Sequence, residues 1–112
     1  MEAVDVLVVG GGPAGSMAAR SAAERGASVL LVERKTTIGL PVQCAEYVPA
    51  RIRDHATLPD RCIAQRISAM ATHLPDGEVA TTPSRGYVIE RALFDRHLAV
   101  EAARAGARIW TG

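Results

Sequence analysis

A chain of 112 residues, 48% of them apolar, has enough hydrophobic surface for one modest domain and too much for a disordered tail. Thirteen basic residues against twelve acidic ones nearly cancel, which argues against a nucleic-acid binder, because such proteins concentrate positive charge. No apolar run reaches the roughly 18–20 residues that span a bilayer, and the start, Met1-Glu2-Ala3-Val4-Asp5, lacks the basic region of a signal peptide. The expected location is therefore cytoplasmic, with no transmembrane segment.

Asp5-Val6-Leu7-Val8-Val9 is a continuous aliphatic run closing on three glycines, the pattern of a central parallel strand buried on both faces. Residues 13–25 are Ala-rich and open on Pro13, whose missing N–H costs nothing in a first helical turn; Gly26 stands where a C-terminal cap belongs. A second apolar run, Ser28-Val29-Leu30-Leu31-Val32, ends on Glu33 and completes a strand–helix–strand unit. Residues 34–65 are irregular, with a short helix expected over about 48–55. Runs at 67–74 and 78–82 flank Asp76-Gly77, the strongest short-range hairpin signal. Tyr87-Val88-Ile89 reads as a short strand, residues 91–105 as a helix with Phe94, Leu98, Ala102 and Ala105 on one face, and residues 107–111 as another parallel strand.

Gly10-Gly11-Gly12-Pro13-Ala14-Gly15 fits G-x-G-x-x-G. It follows a strand, opens a helix, and has an acid 18 residues after Gly15 at the end of the next strand. Each part has a task in holding a dinucleotide. Gly10 permits the tight turn, Gly12 lets a pyrophosphate approach the backbone, and Gly15 with Ala19 lets the helix lie close to the sheet. The pyrophosphate meets unpaired N–H groups at the positive end of the helix dipole. Glu33 can accept hydrogen bonds from adenosine ribose hydroxyls and disfavours a 2′-phosphate, whereas Arg34 and Lys35 could accommodate one. The fingerprint alone leaves FAD and NAD(P) both open.

Gly39-Leu40-Pro41-Val42-Gln43-Cys44-Ala45-Glu46 resembles the loop after the second strand in geranylgeranyl reductase family flavoproteins. Gly86-Tyr87-Val88-Ile89-Glu90-Arg91 with Phe94-Asp95-Arg96-His97-Leu98 is similar to that family's entry into its next long helix, and residues 5–33 match it as well. The fingerprint and the Arg91 segment are shared with p-hydroxybenzoate-hydroxylase-like monooxygenases; the Pro-Val-x-Cys-Ala-Glu loop is the specific part. The resemblance implies an α/β, Rossmann-type FAD-binding domain of the glutathione-reductase-2 and p-hydroxybenzoate-hydroxylase kind, a parallel sheet with an inserted β-hairpin. It implies FAD as cofactor, Ala14 and Glu33 at its AMP half, Cys44 and Ala45 near the flavin, and Arg91 reaching the cofactor from its helix; Gly10, Gly12, Pro13, Gly15 and Arg34 complete the candidate cofactor-binding residues. The activity implied is reduction of isolated C=C bonds in an isoprenoid lipid, with NAD(P)H or ferredoxin as electron donor and a membrane-peripheral site of action. An FAD monooxygenase acting on an aromatic or polyketide ring, and a nucleotide-binding fragment without activity, are the alternatives.

The chain departs from archaeal members of that family at Tyr47, where they usually carry Gly. Cys44 read from position alone is a small thiol without chemistry; only the resemblance makes it a flavin contact, and Cys62 is read as buried packing. His55, His73 and His97 fall at no metal-ligand spacing, and a disulfide between the two cysteines is not expected in a reducing compartment. The chain stops at Gly112 directly after a strand that should feed a crossover, so the sequence reads as the N-terminal portion of an FAD-binding domain whose downstream parts lie beyond it.

Overall fold

The computed structural model describes residues 3–112. It resolves into two compact units: residues up to Val42 together with Arg91–Gly112, and Gln43–Glu90 inserted between them.

The first unit is a parallel three-stranded sheet carrying two helices. Strand β1, Val6–Val9, runs through the glycine turn into helix α1, Pro13–Glu24, and the chain returns as β2, Val29–Glu33. Pro13 occupies the first turn of α1, and past the helix end Gly26 takes a φ of +84°, a conformation that glycine adopts without steric cost. The β1–β2 register, Val6 opposite Val29 through Val9 opposite Val32, puts Val6 and Val8 on the same face as Val29 and Leu31. Ala19 of α1 closes over that face, and its small side chain lets the helix approach. Asp5 ties the strand entry down. Its carboxylate accepts the Ser28 N–H at 2.8 Å and hydroxyl at 2.7 Å, while the Asp5 N–H donates to the same hydroxyl oxygen.

Four further strands and one helix complete the described residues. In the inserted unit β3 is Tyr47–Pro49, β4 is Ile63–His73 and β5 is Val79–Ile89; the first unit then resumes with α2, Arg91–Arg104, and β6, Arg108–Thr111. Strand β6 pairs parallel to β2, so the order in the first sheet is β1-β2-β6 and β2 is the central strand. This corrects the expectation that β1 is buried on both faces: among the described residues it has one strand neighbour, Leu7 is 58% exposed and Val9 79%. Ala102 of α2 and Ala107 join Ala19, Val29 and Leu31 in one buried cluster, so both helices cover the same face.

The inserted unit is an antiparallel sheet of order β3-β5-β4. The Asp76-Gly77 hairpin is present: Leu74 and Glu78 close the turn through a backbone bond of 2.8 Å, and Gly77 has φ +90°. Both arms are longer than expected, and the Tyr87-Val88-Ile89 run is the end of β5 rather than a separate strand. The helix expected over about 48–55 is a 3-10 turn, Ala50–Asp54, because Val48 and Pro49 are taken up by β3 and Pro49 sets the turn's start. A second 3-10 turn, Asp60–Cys62, was not foreseen.

The two faces of the first sheet differ in what they contribute to stability. Leu31 is fully buried, so Leu31→Ala should lower stability by about 2–5 kcal/mol in urea denaturation, whereas Leu7→Ala should cost less than about 1 kcal/mol. Equal losses at the two positions would mean that the exposed face is covered in solution.

Candidate functional site

The glycine turn sits at the carboxyl end of β1. Gly10 has φ +105°, in the left-handed region that favours glycine, and its N–H continues the parallel ladder by donating to the Val32 carbonyl at 2.8 Å. A side chain at Gly15 would run into the Gly10 carbonyl oxygen and press on the Val8 side chain, so the third glycine of the fingerprint serves the closeness of helix to turn. Gly12, the N-cap of α1, opens onto free space where a Cβ would stand, with nothing within 4 Å. No side chain caps this helix and its first turn contains no acid. The N–H groups of Ala14 and Gly15 lie in that turn, where a helix supplies no internal acceptor, and Pro13 has none to offer. An uncapped, acid-free helix start beside an uncrowded glycine is a fit for an anionic diphosphate.

Glu33 stands at the end of β2 beside that turn. Its Oε2 accepts the Gly11 N–H at 2.7 Å and its Oε1 accepts the Lys35 N–H at 2.8 Å. These two backbone donors, Gly11 first, hold its carboxyl below the ordinary glutamate value, with Lys35 and Arg34 adding smaller attractions. Each oxygen keeps a second acceptor direction, so the carboxylate can receive a vicinal diol without surrendering either backbone bond. Val9, Gly10, Val32, Glu33, Arg34 and Lys35 line a cleft of about 570 Å³ at the carboxyl ends of β1 and β2, a size usual for small-ligand sites.

The loop of residues 34–40 carries the turn's surroundings to the start of α2. A Cβ on Gly11 would meet the Ile38 side chain at 3.1 Å, and Ile38 is buried. Next to it Gly39 has φ +87° and lies so close to α2 that a Cβ would fall 2.8 Å from the Ala92 carbonyl oxygen. Arg91, the first residue of α2, is held by Asp95 one turn on: Nε donates to Oδ1 at 3.0 Å and Nη2 to Oδ2 at 3.2 Å.

Cys44 and Ala45 belong to the inserted unit and are exposed there. The Cys44 Sγ accepts the Glu46 N–H at 3.2 Å, and Glu46 is the one non-glycine residue among those described with positive φ, at +64°. Tyr47 lies across Gly86 of β5, where a Cβ would come within 2.7 Å of its ring, and its hydroxyl meets the Ser84 hydroxyl at 2.7 Å. The Tyr47 ring is thus folded onto its own sheet. Cys62 is buried and both thiols are free. Among the described residues no His, Cys, Asp and Glu side chains group to hold a metal ion, and no helix is long and apolar enough to cross a membrane.

The structure thus brings Gly10, Gly12, Pro13, Ala14, Gly15, Glu33 and Arg34 around one turn and its cleft. Sequence reasoning missed Gly11, whose N–H takes the acid, Gly39, whose absent side chain admits α2, and Asp95, which grips Arg91. The arginine and aspartate are four apart on a helix, the spacing at which side chains of opposite charge meet.

Residues 5–42 match the family model described as FAD dependent oxidoreductase. Digeranylgeranylglycerophospholipid reductase 2 of Methanopyrus kandleri is 49% identical over 107 residues, covering 94% of this chain and 27% of its own length. Digeranylgeranylglycerophospholipid reductase of Methanothrix thermoacetophila is 47% identical over 112 residues, covering 94% of this chain and 29% of its own length. The crystal structure of a geranylgeranyl bacteriochlorophyll reductase-like protein from Thermoplasma acidophilum superposes with a TM-score of 0.91 at 40% identity, over 99% of this chain and 30% of that one. The chain therefore spans under a third of the length of each, and along nearly all of its own length it resembles geranylgeranyl reductase flavoproteins. Its α/β architecture is that of a Rossmann-type FAD-binding domain with an inserted antiparallel hairpin.

If backbone donors hold Glu33, its contribution depends on pH with a definite sign. The carboxyl is depressed in the folded chain, so the stabilisation is full above the ordinary glutamate range and is lost as pH falls through the folded value. Glu33→Gln should therefore cost on the order of 1 kcal/mol at neutral pH, and the gap should narrow and close in denaturant melts as pH falls below the ordinary glutamate range. A gap that persists unchanged in acid would show that charge on Glu33 is not what ties the turn.

Proposed function

We propose that this chain is the adenine-dinucleotide segment of an FAD-dependent oxidoreductase that reduces C=C bonds of an isoprenoid lipid. The observation that carries the cofactor assignment is the Glu33 carboxylate, fixed by the Gly11 and Lys35 N–H groups in a cleft next to an uncapped helix start. The acid receives the adenosine ribose diol. The Ala14 and Gly15 N–H groups and the open side of Gly12 receive the pyrophosphate, with Pro13 fixing the first turn. Arg34 and Lys35 border the adenosine cleft as counter-charges, while the negative charge of Glu33 disfavours a 2′-phosphate and with it NADP. Arg91 donates from the start of α2 to an anionic or ribityl oxygen of the cofactor.

FAD, when bound, supplies the hydride that reduction of an isolated C=C bond requires. The residues of this chain bind and orient it. For Cys44 and Ala45 as flavin neighbours, the support is the likeness of their loop to that of geranylgeranyl reductases. The names of the relatives support an isoprenoid lipid substrate; an NAD(P)H or ferredoxin donor has only the resemblance of the sequence behind it, and both are proposed for a whole protein of the relatives' length, working in the cytoplasm at a membrane surface. The monooxygenase alternative draws support only from likenesses of fold.

Titrating the complete enzyme, stripped of flavin, with FAD and following flavin fluorescence tests the cofactor assignment. Saturable binding is expected, and Glu33→Ala should weaken it by about 1–3 kcal/mol, the range for hydrogen bonds to a charged group. Uptake of NADP at this turn in place of FAD would sink it. In the complete enzyme Cys44→Ser should retain flavin with a modest spectral shift; turnover abolished with flavin in place would promote Cys44 from neighbour to reactant.

A further inference from the structure

The Arg91–Asp95 pair is placed in the order that helix electrostatics disfavours. A cation at the first position of α2 faces the positive end of the helix dipole, and an acid four residues later sits on the wrong side of it. Exchanging the two residue types would give a better helix. The acid is also costly where it stands, because Asp95 is buried, its side chain only 10% exposed, beside the buried Phe94, Leu98 and Ala99. A pair retained merely to stabilise the helix has no reason to take this order or this depth.

The arrangement controls direction. Both Asp95 oxygens are engaged in parallel by one edge of the guanidinium, Nε to Oδ1 and Nη2 to Oδ2, a two-point grip that fixes the plane of the group as well as its position. A free arginine side chain loses rotamer entropy when it is immobilised by a ligand, and a guanidinium already clamped has less to lose.

We infer that Asp95 is a positioning residue for the cofactor, setting the orientation in which Arg91 meets its anionic or ribityl oxygens. This rests on the reading of the chain as an FAD-binding segment. Asp95 itself touches no cofactor atom; its effect passes through Arg91, and that dependence is what separates it from a residue that only supports the fold.

The test is a double-mutant cycle read by FAD affinity rather than turnover. The complete enzyme, stripped of flavin, and its Asp95→Asn, Arg91→Ala and double variants are titrated with FAD by flavin fluorescence, with urea midpoints taken on each. Asp95→Asn should weaken FAD by about tenfold when Arg91 is present and by less than about twofold when Arg91 is Ala. If Asp95→Asn does not fold, Asp95→Glu takes its place; it keeps the charge but displaces the fork by a methylene, and a loss of about threefold confined to the Arg91 background is expected. Equal losses in both backgrounds would make Asp95 a structural residue and overturn the inference, as would unchanged affinity in Asp95→Asn. A complete enzyme that takes up no FAD overturns the cofactor assignment and this inference with it, whereas one that binds FAD with no coupling between the two positions overturns this one alone.

Discussion

Two strand ends and a helix start meet at one carboxylate. Glu33 closes β2, yet its oxygens are bonded to the N–H of Gly11 in the turn after β1 and to the N–H of Lys35 in its own following loop. Besides that acid, the Gly10–Gly15 turn is held by the Gly10 N–H on the Val32 carbonyl and by Ser16, whose N–H and hydroxyl donate to the Gly12 and Gly11 carbonyls. It contains no side chain beyond Pro13 and Ala14, and glycine gives up more backbone freedom on ordering than any other residue. An acid at this point therefore does two jobs at once. It organises the loop that receives a diphosphate, and it remains able to accept hydroxyls from a sugar. Its ionised form is favoured by the same N–H groups that it orders, so the two roles reinforce one another.

The elements legible in the sequence were those with a local cause. Strand β2 and helix α1 follow from an aliphatic run, a first-turn proline and a capping glycine within a single short stretch, and the spacing from the glycines to Glu33 needs only counting. What escaped was set by partners distant in sequence. Strand β3 is three residues long, contains Pro49, and exists because its backbone pairs with Gly86–Val88 nearly forty positions on. The hairpin arms run to eleven residues through Ala, Thr, Ser and Pro, types that carry no strong strand pattern, because each arm is supported by the other. β1 was read as central because aliphatic continuity reports burial on both faces, while the number of neighbouring strands is a property of the sheet.

The site divides along the same line. Gly10, Gly12, Gly15 and Glu33 are fixed by a motif in which each position has a stated steric or electrostatic task. Gly39 and Gly86 are required for equally plain reasons, the approach of Ala92 and the lie of the Tyr47 ring, but those reasons exist only once the chain is folded. Tyr47 shows the consequence. In the sequence it reads as an added bulk beside the loop that resembles geranylgeranyl reductases; folded, the ring rests over a glycine of the neighbouring strand with its hydroxyl on Ser84, so the bulk is absorbed within the inserted sheet.

The charges of the first unit are segregated in a way that a single anion-binding turn does not require. An acid near a diphosphate site would ordinarily oppose binding, since like charges within a few ångströms repel. Here the carboxylate is drawn to Gly11 and Lys35, while the first turn of α1 is left free of acids and caps. The turn thus offers negative charge and hydrogen-bond acceptors on its sugar side and bare N–H groups on its phosphate side. At the start of α2 the pattern is inverted: a cation is kept where the helix dipole opposes it, and a buried acid compensates. Both arrangements spend local stability to keep donors and acceptors apart and aimed. A ligand with a diol at one end and anionic oxygens further along is the kind that gains from that separation, and this polarity, more than the glycine spacing, distinguishes the turn from an ordinary strand-to-helix corner.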